Sequence, residues 1–238
     1  MRFIHSGISF TIALCGLSAN NLTAIAAPSP AALQIQAPSS SLVMLQESKN
    51  PTSEKTVIEG NGVGFTVPAG FKGGLPSSAD TKAITSEAAK MFPSMASMMQ
   101  AFDNDPGFFR AIAINTAKEG NPDLVLVTRL PIPANVPLSY IQEMMTKLMP
   151  SMLPPQFKLV STKTVTIGSR QIVQLTVDAN IQGSKIKESI GLFKQGDEVF
   201  QVTYVYAQEN SQQAIPIFEQ IINTFQATPK APVPSQPI

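Results

Sequence analysis

Between Lys158 and Tyr206 the chain carries four apolar–polar stretches, cut by Gly168, Gly183 and the pair Gly196-Asp197. Period-two alternation turns one side of a segment inward and the other outward, which marks it as a strand. In Gln171 to Ile181 the pattern is regular, with Val173, Leu175, Val177 and Ala179 facing one way and Gln174, Thr176 and Asp178 the other. Val199 to Tyr206 follows suit through Phe200, Val202, Tyr204 and Tyr206, while Lys158 to Ile167 alternates imperfectly and Lys185 to Lys194 fills the gap between. Parallel neighbours need a crossover of about a dozen residues or more, and turns this short leave no room for one. The stretch is expected to be an antiparallel meander.

A sheet with one apolar face needs a cover, and the flanking segments supply it. Lys55 to Val67 reads as a strand pair or one bent strand, punctuated by Gly60, Asn61 and Gly62 and ended by Pro68. Thr85 to Phe102 is expected to be helical. Phe108 to Thr116 and Asp123 to Ile132 are strand candidates, with a turn at Gly120, Asn121 and Pro122 between them. Leu138 to Met149 is a second helix, with Ser139 near its start and Pro150 stopping it. A last helix ends at Phe225 with the stripe Phe218, Ile221, Ile222 and Phe225, and Pro216 marks where regular helix begins. The order implies an α+β fold, a central antiparallel sheet with helices packed on its faces.

Both ends lie outside that domain. Residues 1–26 have the form of a secretory signal: Arg2, a short apolar run from Ile8 to Leu17, then Ala24 and Ala26 at an A-x-A cleavage site. Asn20 and Asn21 break the run before it reaches the length of a membrane anchor, about 20 apolar residues. Cys15 follows Leu14 rather than the small residue a lipidated cysteine takes. Residues 27–53 form a Pro/Ser-rich linker, with Pro28, Pro30, Pro38, Pro51 and the run Ser39 to Ser41, and residues 228–238 form a Pro-rich tail. The domain is expected over 54–227. After cleavage the chain is expected to have no membrane-spanning segment, and to lie in a periplasm or a thylakoid lumen, with an extracellular location as the alternative.

Cleavage would also remove chemistry. The only histidine and the only cysteine, His5 and Cys15, both lie in the signal, so the mature chain has no nucleophilic triad, no cysteine nucleophile and no ordinary zinc site. No phosphate-binding loop pattern occurs, and we expect no catalytic residues, no cofactor and no enzyme. The 17 basic and 16 acidic residues nearly cancel, without a like-charge block, so no nucleic-acid partner is indicated.

Methionine is the unusual feature. Met91, Met95, Met98 and Met99 sit at helical spacing in the first helix, and Met144, Met145, Met149 and Met152 repeat the pattern around the second. Core packing accounts for such a stripe, since Met fills irregular apolar gaps. The functional alternatives are an adaptable partner groove over Met95, Met98, Met99, Met144, Met145 and Met149, or a soft thioether site for Cu(I). Asp103, Asn104 and Asp105 before Gly107 suggest a calcium loop, but Ala113 stands where its closing Glu belongs, and a helix-ending turn fits better. Arg170, Lys185, Lys187 and Lys194 are expected along one sheet edge as a solvated face. Tyr204 and Tyr206 are read as strand packing rather than stacking platforms.

Several of these segments resemble the PsbP-like superfamily, which includes DcrB- and LpqN-type envelope proteins. The resemblance runs through Gly64-Phe65-Thr66-Val67-Pro68-Ala69-Gly70-Phe71, Ile167 to Arg170, Gln171 to Ile181, Phe200 to Tyr204 and Ile221-Ile222-Asn223-Thr224-Phe225. It implies a central antiparallel sheet covered by helices. It also implies an exported, non-enzymatic binding or assembly protein whose partner is a protein, a membrane-associated complex, and photosystem II in a photosynthetic host. An envelope binder of a small hydrophobic ligand is the alternative. The chain lacks the histidine of the family's metal-site proposals, and no functional residue carries over from it.

Overall fold

The C-terminal alternation builds most of a seven-stranded antiparallel sheet. The computed structural model describes residues 54–91 (backbone only for 87–91), 109–117, 123–181 and 183–227. The strands are β1 (Lys55–Glu59), β2 (Val63–Pro68), β3 (Phe71–Gly74), β4 (Phe109–Asn115), β5 (Leu124–Leu130), β6 (Phe157–Ile167), β7 (Arg170–Ile181), β8 (Ser184–Gln195), β9 (Glu198–Ala207) and the short β10 (Gln226–Ala227). The helices are α1 (Ala79–Met91), α2 (Leu138–Met152) and α3 (Ser211–Thr224), with one 3-10 turn at Gln208–Asn210.

The large sheet has the order β3-β4-β5-β9-β8-β7-β6. Two meanders compose it: the chain builds β3 to β5, crosses through α2 to the far edge at β6, then walks back until β9 pairs with β5. Gly168, Gly183 and Gly196 carry the positive φ of the tight turns, at 60°, 86° and 59°, as their punctuation suggested. A smaller sheet, β1-β2-β10, joins the first hairpin to the segment after α3 through Gln226–Gly64 and Ala227–Val63. Lys55 to Val67 is therefore a hairpin. Its turn lies hard against β4: a Cβ on Gly60 would sit 2.1 Å from the Arg110 carbonyl oxygen, to which the Asn61 N–H donates at 2.6 Å.

The large sheet is packed on both faces, as the expected α+β arrangement has it. Val199 to Ala207 are all buried, so β9 has no solvent side. On one face, Ile172, Phe193, Phe200, Val202 and Tyr204 meet Phe218, Ile221 and Ile222 of α3 and Phe65 and Val67 of the small sheet. On the other, Val173, Leu175, Val177 and Leu192 meet Ile141, Met145 and Met149 of α2. Further along that face, Phe109, Ile112, Leu126 and Val205 form a third cluster against Ile84 of α1. Gly191 permits the close approach of α3, since a Cβ there would lie 3.1 Å from both Ile222 Cδ1 and Phe218 Cζ.

Three helix limits differ from the sequence expectation. Helix α1 begins at Ala79 rather than Thr85, because Ser78 caps it: its Oγ accepts the Thr81 N–H at 3.2 Å. Helix α2 runs through Pro150 to Met152; a proline in the last turn removes only one hydrogen bond, and Leu153 N–H still donates to Met149 O at 3.0 Å. Helix α3 starts at Ser211, five residues before Pro216. Pro216 and Gln212, whose carbonyl loses its donor, are both exposed, so water can replace the missing N–H. The portion of the first expected helix beyond Met91, the turn at Gly120 to Pro122, and Asp103 to Asp105 lie outside the described residues. Among those residues, no helix is long and apolar enough to cross a membrane.

Candidate functional site

The sequence singled out methionines and lysines, and the structure sorts them by burial. Met145 and Met149 are core residues, 3% and 1% exposed, on the inward line of α2 with Ile141. Met144 is half-buried at the margin of that cluster. Met95, Met98 and Met99 lie outside the described residues. Residues four apart share a helix face, which places Tyr140, Met144 and Leu148 in one row. Tyr140 is 57% exposed and Leu148 39%. The opposite flank of α2 is fixed to β6, where Thr164 Oγ1 donates to Gln142 Oε1 at 2.6 Å. The apolar row therefore looks away from the sheet edge, with the Glu143–Lys147 ion pair beside it.

The basic residues do not line an edge. β8 pairs with β7 on one side and β9 on the other, so Lys187 stands inside the sheet, while Lys185 pairs with Asn180 of β7 at the strand's start. Lys187 Nζ lies 3.4 Å from Asp178 Oδ1 on the neighbouring strand. The edge at this end is β6, which carries Lys158 and Lys163 and is kinked by a register shift between Leu159 and Ser161. Charge and a bulge are the usual protection of an edge against pairing with another chain.

Arg170 is placed where sequence reasoning had no signal for it. Its guanidinium stacks over Phe193 and Phe225, 4.8 and 5.7 Å from the ring centroids. It donates to the carbonyls of Ile222 and Phe225 and to Gln195 Oε1, the latter two at 3.0 and 2.9 Å. It thus closes the C-terminal end of α3. Burial lowers its pKa from the ordinary arginine value.

Other polar side chains are joined in pairs across strands. Tyr204 donates to Asp123 Oδ2 at 3.0 Å, and burial, reinforced by Asp123, pushes the phenol pKa well up. The hydroxyls of Tyr206 and Ser189 lie 3.0 Å apart, and burial raises Tyr206 as well. Arg110 and Arg129 both approach Glu198 Oε1, at 3.5 and 3.0 Å. These pairs join residues far apart in the chain, such as Asp123 and Tyr204, so no local motif announces them.

A cleft of about 370 Å³ opens beside the start of α2, lined by Leu138, Ser169, Arg170, Gln171, Lys194 and Gln195. No carboxylate lines it, so it does not hold the paired acids a carboxylate-based hydrolase needs.

No protein-family model matches the chain, and no curated protein matches it in sequence. Solved structures do. A cyanobacterial PsbP (CyanoP) from Synechocystis sp. PCC 6803 is 10% identical with a TM-score of 0.45, over 76% of this chain and 97% of that one. LpqN of Mycobacterium tuberculosis, involved in cell envelope biogenesis, is 14% identical with a TM-score of 0.41, over 75% and 92%. A protein from Bacteroides thetaiotaomicron VPI-5482 is 10% identical with a TM-score of 0.39, over 70% of this chain but only 45% of its own. PsbP-like proteins are thus among the solved structures similar to this chain, as the strand and turn resemblance implied. At such identities the likeness concerns fold alone.

Proposed function

We propose that this chain is an exported, non-enzymatic binding or assembly protein that acts on a membrane-associated complex, and that the outward row of α2 is its contact surface. The observation that carries the reading is the division of α2 into two apolar rows. Ile141, Met145 and Met149 are packed on the sheet, whereas Tyr140 and Leu148 stand exposed on the flank of the helix, with Met144 between them half-buried against the same cluster. Anchors at i, i+4 and i+8 are what a helix offers to an apolar groove on a protein partner. The neighbouring Glu143–Lys147 pair supplies a polar rim. Tyr140 is also of a residue type enriched at the energetic centres of protein interfaces.

The signal-like N-terminus and the lack of His and Cys after residue 26 support export and a binding role. The test is affinity capture of the tagged chain from its host after mild cross-linking. We expect one membrane complex at defined stoichiometry, and its loss in Leu148→Asp with the thermal unfolding midpoint unchanged. Undiminished capture by Leu148→Asp, or recovery of the chain alone, would overturn the reading.

A further inference from the structure

The cleft beside the start of α2 differs chemically from the apolar row and does not rest on the partner reading. Gln171 and Lys194 sit on adjacent strands, each two residues beyond the paired Val173 and Leu192, on the face that α2 covers. Lys194 is half-buried and has neither an ion pair nor a hydrogen bond among the described residues. Gln195, next to Lys194 on the strand, turns its side chain to the opposite face, where its amide oxygen accepts from Arg170, so it borders the cleft from below. Arg170 is held by three acceptors and two rings, so its charge stays beneath the cleft. Ser169 adds a hydroxyl and Leu138 an apolar wall. The nearest acids in the chain, Asp197 and Glu198, belong to the β8–β9 turn and its following strand, and Glu198 is engaged by Arg110 and Arg129.

We propose that this cleft is an oxyanion-binding site for a small molecule bearing a carboxylate or a phosphate. Its lining is rich in donors, carries positive charge and lacks any competing carboxylate, which is the complement such a group requires. Its size lies at the lower end of the range of small-molecule sites, roughly 300–1,000 Å³. Lys194 provides the free cation, Gln171 an orienting amide and Ser169 a hydroxyl, while Arg170, anchored on the other face, provides a fixed field.

The experiment is an NMR titration of the 15N-labelled full chain with sodium phosphate and, separately, sodium succinate, with chloride balancing the ionic strength. Saturable shifts of the amides at Ser169, Gln171, Lys194 and Gln195 are expected, with Lys194→Gln weakening binding about tenfold. Lys185→Gln, on the same strand but away from the cleft, should bind as the parent does. Should Lys194→Gln fail to fold, Gln171→Leu on the neighbouring strand carries the same expectation. Tighter phosphate binding assigns a phosphate ester, and tighter succinate binding assigns a carboxylate. Shifts that rise linearly without saturating, or folded variants that bind as tightly as the parent, would overturn the site.

Discussion

Helices α2 and α3 cover opposite faces of the same sheet, yet they are built differently. α3 seats Phe218, Ile221 and Ile222 over Gly191, abuts a cluster in which Phe225 meets Phe193 and Phe200 at 5.0 and 5.1 Å, and has its end closed by Arg170. α2 seats Ile141, Met145 and Met149 and carries Tyr140 and Leu148 exposed on its flank; neither helix has a side-chain cap at its start. Rigid rings in a fitted socket specify one arrangement, whereas thioethers tolerate several. α3 is therefore the more rigidly specified cover, and the looser packing of α2 is in keeping with the contact role proposed for it.

The sharpest way to break that contrast is to truncate one side chain under each helix. Phe218→Ala should cost about 3–5 kcal/mol, because a fully buried ring leaves a cavity that neighbouring rings cannot collapse into. Met145→Ala, nearly as buried, should cost less, about 2 kcal/mol, because the flexible thioethers beside it can shift into the space. Urea unfolding at neutral pH measures both. Equal losses would mean that the two covers are packed alike and that the division of labour is wrong.

A smaller effect should follow from removing the clamp. Arg170→Gln loses the donors to Ile222 and Phe225 and the contact with two rings, and should cost about 2–3 kcal/mol. Arg170→Lys should not restore it, since a lysine cannot reproduce the planar fork or its stacking. Hydrogen exchange offers a local readout: amides in the last turn of α3 should lose protection while those of α2 keep theirs.

The same contrast separates what the sequence discloses from what it conceals. Period-two alternation and glycine turns place β6 to β9, because an antiparallel hairpin is a local object whose strands and turn are contiguous. The pairing of β5 with β9 is not local. Nothing in Asp123-Leu124-Val125 points to Tyr204, so neither the join of the two meanders nor the buried Asp123–Tyr204 bond could be read. That join also explains why the one-sided alternation read in Val199 to Tyr206 does not hold for β9, which in mid-sheet is buried on both sides. Pro150 and Pro216 misled because helix-breaking rules treat proline without regard to its face or its distance from the helix end. The inward methionines of α2 follow from spacing, but the outward row does not, because Leu148 and Tyr140 carry no mark of exposure. Arg170 was legible only as a charge; its clamp depends on α3 arriving from some fifty residues downstream.

The finest test of the two covers uses pH, because the buried phenols lie on the face that α3 covers and none lies under α2 among the described residues. Burial and Asp123 raise the pKa of Tyr204 above its ordinary value of 10.0, which means that the folded state holds the phenol proton more tightly than the unfolded chain does. The resulting stabilisation is complete below pH 10.0 and is lost progressively as pH rises from there towards the raised value. The parent should therefore lose stability between pH 9 and 11. Tyr204→Phe, less stable at neutral pH for want of the bond to Asp123, should lose less over the same interval because the titrating group is gone. Urea midpoints at a series of pH values measure the difference in slope. Parallel curves for parent and variant would show that Tyr204 is not the source of alkaline sensitivity and would leave Tyr206 as the buried phenol to test on that face.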